Sequence, residues 1–153
     1  MRRVPSSRAT IRLAMPYILN FEHYGPQPGT ILKVRSTRTP AIEHWGVAYW
    51  PNPLTGEPQM IHGMKGDFYR ITPKSEFDNG QPCTAVWTPE TPQRAAAIIA
   101  RMELLLGQPW HLTRLNCEQG VMWALTGKAT SKQLERGGVV AAIVVGIAIV
   151  SSL

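Results

Sequence analysis

The chain has 153 residues, 44% of them apolar, and a net charge of +6. That is enough for one domain with a hydrophobic core and leaves no room for two. Two cysteines, Cys83 and Cys117, exclude a disulfide framework; with no zinc-finger, RNA-binding aromatic or helix-turn-helix pattern, the basic charge does not point first to nucleic acid.

Residues 1–24 read as a basic, irregular arm. Arg2, Arg3, Arg8 and Arg12 supply its charge, and Pro5 and Pro16 break it. The plain reading is a solvated arm; the sharper one is attraction to anionic lipid. Ile11 to Leu19 is interrupted by Arg12 and Pro16, so no secretory signal is expected there.

Gln27-Pro28-Gly29 marks a turn, and Thr30 to Arg35 then reads as a strand that Thr37 to Pro40 ends. Glu43 to Trp50, rich in aromatic residues, predicts a central strand. Pro51 to Pro58 fits a hairpin loop, with Gln59 to Gly63 as the return strand. Phe68 to Thr72 and Thr84 to Trp87 predict two more short strands.

The pattern then turns helical. Thr91 caps a helix with Pro92 at its first position, and Ile98, Ile99, Met102, Leu105 and Leu106 recur at helical spacing up to Gly107. Asn116 is a good N-cap, which puts Cys117 in the first turn of a second helix ending near Gly127. Thr130 and Gln133 have capping-box spacing for a third. Strands followed by helices predict an α+β fold over residues 25–136: a small antiparallel sheet, then packed helices.

Residues 137–153 form a separate tail. No residue from Gly137 to Leu153 is charged, a run of 17, at the lower edge of the roughly 17–25 residues that span a bilayer. Lys128, Lys132 and Arg136 flank it as on a cytoplasmic side, and Gly138, Ala142 and Gly146 would line one helix face with small residues. A membrane anchor and a buried core segment both fit.

Cys117, His44 and His62 together supply a thiol nucleophile, a base and a residue to orient the base. The helix start offers unpaired N–H groups and the positive dipole end, which favour a thiolate and can hold an oxyanion. His111, near Cys117 in sequence, competes for the role of base, and His23 is given none. Cys and His also ligate zinc, but no short paired spacing is present, so neither metal nor cofactor is expected. An ordinary buried cysteine and hydrogen-bonded strand histidines remain the plain alternative.

His44-Trp45-Gly46-Val47, then Ile61-His62, then Asn116-Cys117-Glu118 resembles the lecithin retinol acyltransferase-like proteins, a circularly permuted branch of the papain-like NlpC-type superfamily. Pro28 to Leu32 is similar to the strand before that family's first histidine. Leu112 to Glu118 with Thr126-Gly127-Lys128 is similar to its cysteine helix and exit. The resemblance covers roughly residues 25 to 136. It implies a permuted papain-like fold, with Cys117 as nucleophile, His44 as base and His62 as third member. It implies an acyltransferase or phospholipase-type activity on lipid esters, and some members carry a hydrophobic C-terminal anchor. Family members often continue the cysteine motif with His and Phe, where Gln119 and Gly120 stand here, so substrate contacts should differ. A peptide or cell-wall amide as substrate, and a non-catalytic membrane-tethered interaction module, are the alternatives.

Overall fold

The computed structural model describes residues 25–35 and 42–136. The expected basic arm, the Thr37 to Pro40 break and the apolar tail lie outside the described residues. The architecture is α+β. Five antiparallel strands, β1 (Ile31–Arg35), β2 (Glu43–Ala48), β3 (Gln59–Gly63), β4 (Tyr69–Pro73) and β5 (Cys83–Trp87), form one sheet in the order β4-β3-β2-β1-β5. The helices are α1 (Lys74–Asp78), α2 (Pro92–Glu103) and α3 (Cys117–Thr126).

Each predicted strand is present, with ends moved by a residue or two. Helix α1 was not expected. It interrupts the strands-then-helices order between β4 and β5, and Asn79 closes it in the left-handed region at φ 47°. A five-residue helix carries too little periodicity to stand out in a sequence. A helical turn at 132–136 follows α3. Its first turn is capped by Ser131, whose hydroxyl accepts the Leu134 N–H at 3.3 Å, one residue after the expected Thr130. Among the described residues no helix is long and apolar enough to cross a membrane.

Strand alternation gives the sheet two different faces. Trp45 and Val47 of β2, Ile61 of β3 and Tyr69 of β4 pack with Ile98, Ile99 and Met102 of α2 and with Cys117, Val121 and Ala124 of α3. On the other face Ala48, Met60, Leu32 and Val34 pack on Phe77 of α1. Helix α2 starts as its sequence dictates: Thr91 Oγ1 accepts the Arg94 N–H at 3.2 Å, with Pro92 at the first helical position. It is tied to the far end of α3, where Arg101 and Arg94 donate to the Ala124 and Leu125 carbonyls at 2.9 and 2.8 Å. Gly127 then ends α3 at φ 81°, a left-handed conformation that suits glycine.

Candidate active site

Cys117 is the first helical residue of α3 because Asn116 caps the helix reciprocally. The Asn116 side chain accepts the Gln119 N–H at 2.8 Å, and the Gln119 side chain accepts the Asn116 N–H at 3.0 Å. Both amides also donate backwards, Asn116 to the Leu112 carbonyl and Gln119 to the Thr113 carbonyl, each at 3.0 Å. Gln119 therefore fixes the loop that delivers the cysteine.

The Cys117 sulfur is buried, with 8% of the residue exposed. Burial pushes its thiol up; the N–H groups of Trp45, Glu118 and Cys117 itself act the other way, and burial prevails. The helix N-terminus thus works in the expected direction without producing a thiolate at rest.

The two histidines meet. His44 Nε2 lies 2.8 Å from His62 Nδ1, and His62 Nε2 lies 2.8 Å from Thr72 Oγ1. Val47 pairs with Ile61 and Met60 with Thr72, so these contacts run diagonally across β2, β3 and β4. The Thr72 hydroxyl donates to the Pro73 carbonyl at 3.2 Å. It therefore accepts from His62 Nε2–H, which leaves His62 Nδ1 to accept from His44 Nε2–H. The network assigns the lone pair of His44 to Nδ1.

Phe77 lies against both imidazoles, with ring centroids 5.1 Å from His44 and 5.2 Å from His62. Gly46 makes room for it, since a Cβ there would come within 2.8 Å of the Phe77 ring. Burial lowers His44 to about 4. Burial, then the charges of His44 and Arg70, lowers His62 to about 3. Both rings are neutral at pH 7.

The imidazole pair is therefore assembled, and the sulfur comes to the same strand by another route. It packs in one core cluster with Trp45, the β2 residue after His44. The Trp45 ring shares the α2–α3 face with Cys117, while both imidazoles pack on Phe77. Among the described residues no hydrogen bond joins the sulfur to either ring. His111 is exposed, and its backbone pairs with Leu115. Cys83 and Cys117 are both free, and Cys83 sits half-buried on edge strand β5 beside Asp78.

Four residues around the site carry no sequence signal of their role. Thr72 ends the histidine chain. Phe77 walls it. Tyr69, 1% exposed, donates to the Asn116 carbonyl at 2.6 Å, the same carbonyl that accepts the Gly120 N–H. Glu118, 3% exposed, accepts from Ser131 Oγ at 2.5 Å and from the Lys132 and Gln133 N–H groups at 3.2 Å each. Burial holds the Tyr69 phenol well above its usual range, and the neighbouring Cys117 adds to this. Among the described residues no group of three or more His, Cys, Asp or Glu side chains could hold a metal ion. Against this geometry, comparison with protein families finds no matching family model, and no curated protein matches the chain.

Proposed function

We propose that the chain is a cysteine acyl-transfer enzyme of the lecithin retinol acyltransferase-like type, on a permuted papain-like fold, acting on lipid esters. The observation that carries this reading is a cysteine at a capped helix start, packed in one core cluster with Trp45, the strand residue beside His44, which heads a hydrogen-bonded His44–His62–Thr72 chain.

Cys117 and His44 start as neutral thiol and neutral imidazole. The sulfur attacks the ester carbonyl carbon while its proton passes to Nδ1 of His44. The imidazolium then donates from Nε2 to His62, held in the accepting orientation by Thr72. N–H groups at the start of α3 stabilise the oxyanion. Collapse breaks the ester bond, and Nδ1 returns the proton to the leaving alcohol. Water, an alcohol or an amine, deprotonated by His44, then takes the acyl group and restores the thiol. The first step requires the sulfur and Nδ1 to come within hydrogen-bond reach, and catalytic hydrogen bonds are commonly long until substrate is bound. The apolar segment 137–153 and its basic flank would hold the enzyme at a membrane.

The test uses the full chain against phospholipid vesicles and peptidoglycan fragments, with intact-mass detection of an acyl group on Cys117. A vesicle ester cleaved by wild type and lost in Cys117→Ala by about a thousandfold or more supports the reading. Activity on the amide alone moves the substrate to a peptide or cell-wall bond. Full activity in Cys117→Ala removes the mechanism.

A second reading has its own support. The buried, neutral sulfur and the absence of a bond to His44 suit a non-catalytic interaction module on the same fold. It predicts no acyl adduct on Cys117 with any ester or amide.

A further inference from the structure

A single amide connects the two halves of the site. Gln133 Oε1 accepts the Glu43 N–H at 3.0 Å, and Gln133 Nε2 donates to the Glu43 carbonyl at 3.2 Å. The same Nε2 reaches Glu118 Oε2 at 3.3 Å. Glu43 immediately precedes His44, and Glu118 immediately follows Cys117. We infer that Gln133 is a positioning residue: its side chain fastens the base strand to the nucleophile helix and so fixes the separation of His44 and Cys117. The inference rests on the acyl-transfer reading for its catalytic consequence.

The local structure explains why a side chain does this work. Ladder β2–β3 pairs only Val47 and Ala48 of β2, with Ile61 and Met60, which leaves the start of β2 without a partner on that side. Glu43 pairs with Arg35 of β1 on the other. Gln133 fills the gap by bonding both backbone groups of Glu43, as a neighbouring strand would. Glu118 in turn fixes Gln133. Its carboxylate accepts the first two N–H groups of the 132–136 turn, together with the Ser131 hydroxyl, and so holds that turn at its positive end. Residues 131–136 are thereby part of the site.

The test compares Gln133→Ala and Gln133→Glu with wild type in the full chain. Truncation to Ala is expected to lower kcat about 10- to 100-fold with little change in KM, the size of effect that a small misplacement of reacting groups produces. Gln133→Glu sets a second carboxylate against Glu118. Its rate should fall as the pH rises and like charge accumulates on the pair, and by more than the folded fraction measured at the same pH; a purely structural role would lower rate and folded fraction together. Wild-type kcat and pH profile in both variants, or a loss that only follows the folded fraction, overturns the inference. Amide hydrogen exchange and histidine ring NMR decide the matter independently of activity. In Gln133→Ala the Glu43 amide should exchange at least about tenfold faster and the His44 signals should move; unchanged exchange and unchanged signals overturn the clamp. If Cys117→Ala proves fully active, the enzymatic reading falls, while these two measurements still test the connection between strand and helix.

Discussion

Tyr69 and Gly120 share one volume: a Cβ on Gly120 would overlap the Tyr69 hydroxyl oxygen and lie 2.7 Å from its ring. The phenol passes through that space to reach the Asn116 carbonyl, behind the residue that precedes Cys117. Gly63 flanks the same ring from β3, where a Cβ would come within 2.6 Å. The glycine in the first turn of α3 is thus matched by a tyrosine arriving from β4.

Gly120→Ala is expected to destabilise the fold by about 1–3 kcal/mol, overpacking outweighing the gain of roughly 1 kcal/mol in helix propensity. Tyr69→Phe should cost about 1 kcal/mol, for one buried hydrogen bond whose acceptor keeps another donor. Because Tyr69→Phe removes the hydroxyl that the methyl of Gly120→Ala would strike, the double variant should lose less than the sum, by about 0.5 kcal/mol or more. Denaturant unfolding of the four proteins measures this; strict additivity would mean that the two residues do not compete for space.

Stability should fall on acidification in a defined window. The histidines are lowered to about 4 and about 3 in the folded protein, from the ordinary 6.5. Below pH 6.5 the unfolded chain binds protons that the folded site refuses. The unfolded state then holds more protons, so unfolding becomes easier as pH drops from 6.5 towards 4 and 3. Above 6.5 both states hold neutral rings and this contribution is constant. Carboxylates titrate in the lower part of the window, so the informative quantity is the difference from His62→Gln. That variant should show a shallower loss between pH 6.5 and 4.5, and equal slopes would contradict a buried neutral His62.

The same burial sets the pH dependence of catalysis. An imidazole acting as base must be unprotonated, and His44 remains so down to about 4. The acid limb of kcat/KM is therefore expected near pH 4, with a flat profile from about pH 5 to neutrality. An acid limb near 6.5 would mean that the buried His44 is not the base; repeating the profile on His111→Gln then tests the histidine that competes with it in sequence.

Gly46→Ala should separate the histidines from their wall. Its Cβ would approach the Phe77 ring at 2.8 Å and the Ile61 carbonyl at 3.2 Å. The backbone cannot yield cheaply, so Phe77 must move away from the imidazoles. Expected are a loss of about 1–3 kcal/mol in stability and an upward move of both histidines as water reaches them. Histidine titration by NMR checks this, and titration midpoints unchanged from wild type would rule out Phe77 as the source of their burial.

Much of the local structure is written in short stretches of sequence. Thr91-Pro92 starts α2, and Asn116 with Gln119 starts α3 and fixes Cys117 as its first residue, because a cap needs only side chains three residues apart. The Pro-rich loop between two aromatic and apolar runs suffices for the β2–β3 hairpin. Helix α1 and the start of the 132–136 turn escaped, the first for its length and the second because Ser131 stands next to an equally good cap at Thr130.

What no spacing reveals is who meets whom. The diagonal from His44 through His62 to Thr72 follows from the register of two ladders, which depends on the whole sheet. The neutrality of Cys117 and both imidazoles comes from burial, a property of the packed core. Gln133 reaches Glu43 across 90 residues of chain, and Tyr69 reaches Asn116 across 47. Sequence alone set the caps, the turns and the residue types available for chemistry, because those interactions close within a few residues. Tertiary structure decided their distances, their proton states and the side chains that fix them, because these are energies of packing between segments far apart in the chain.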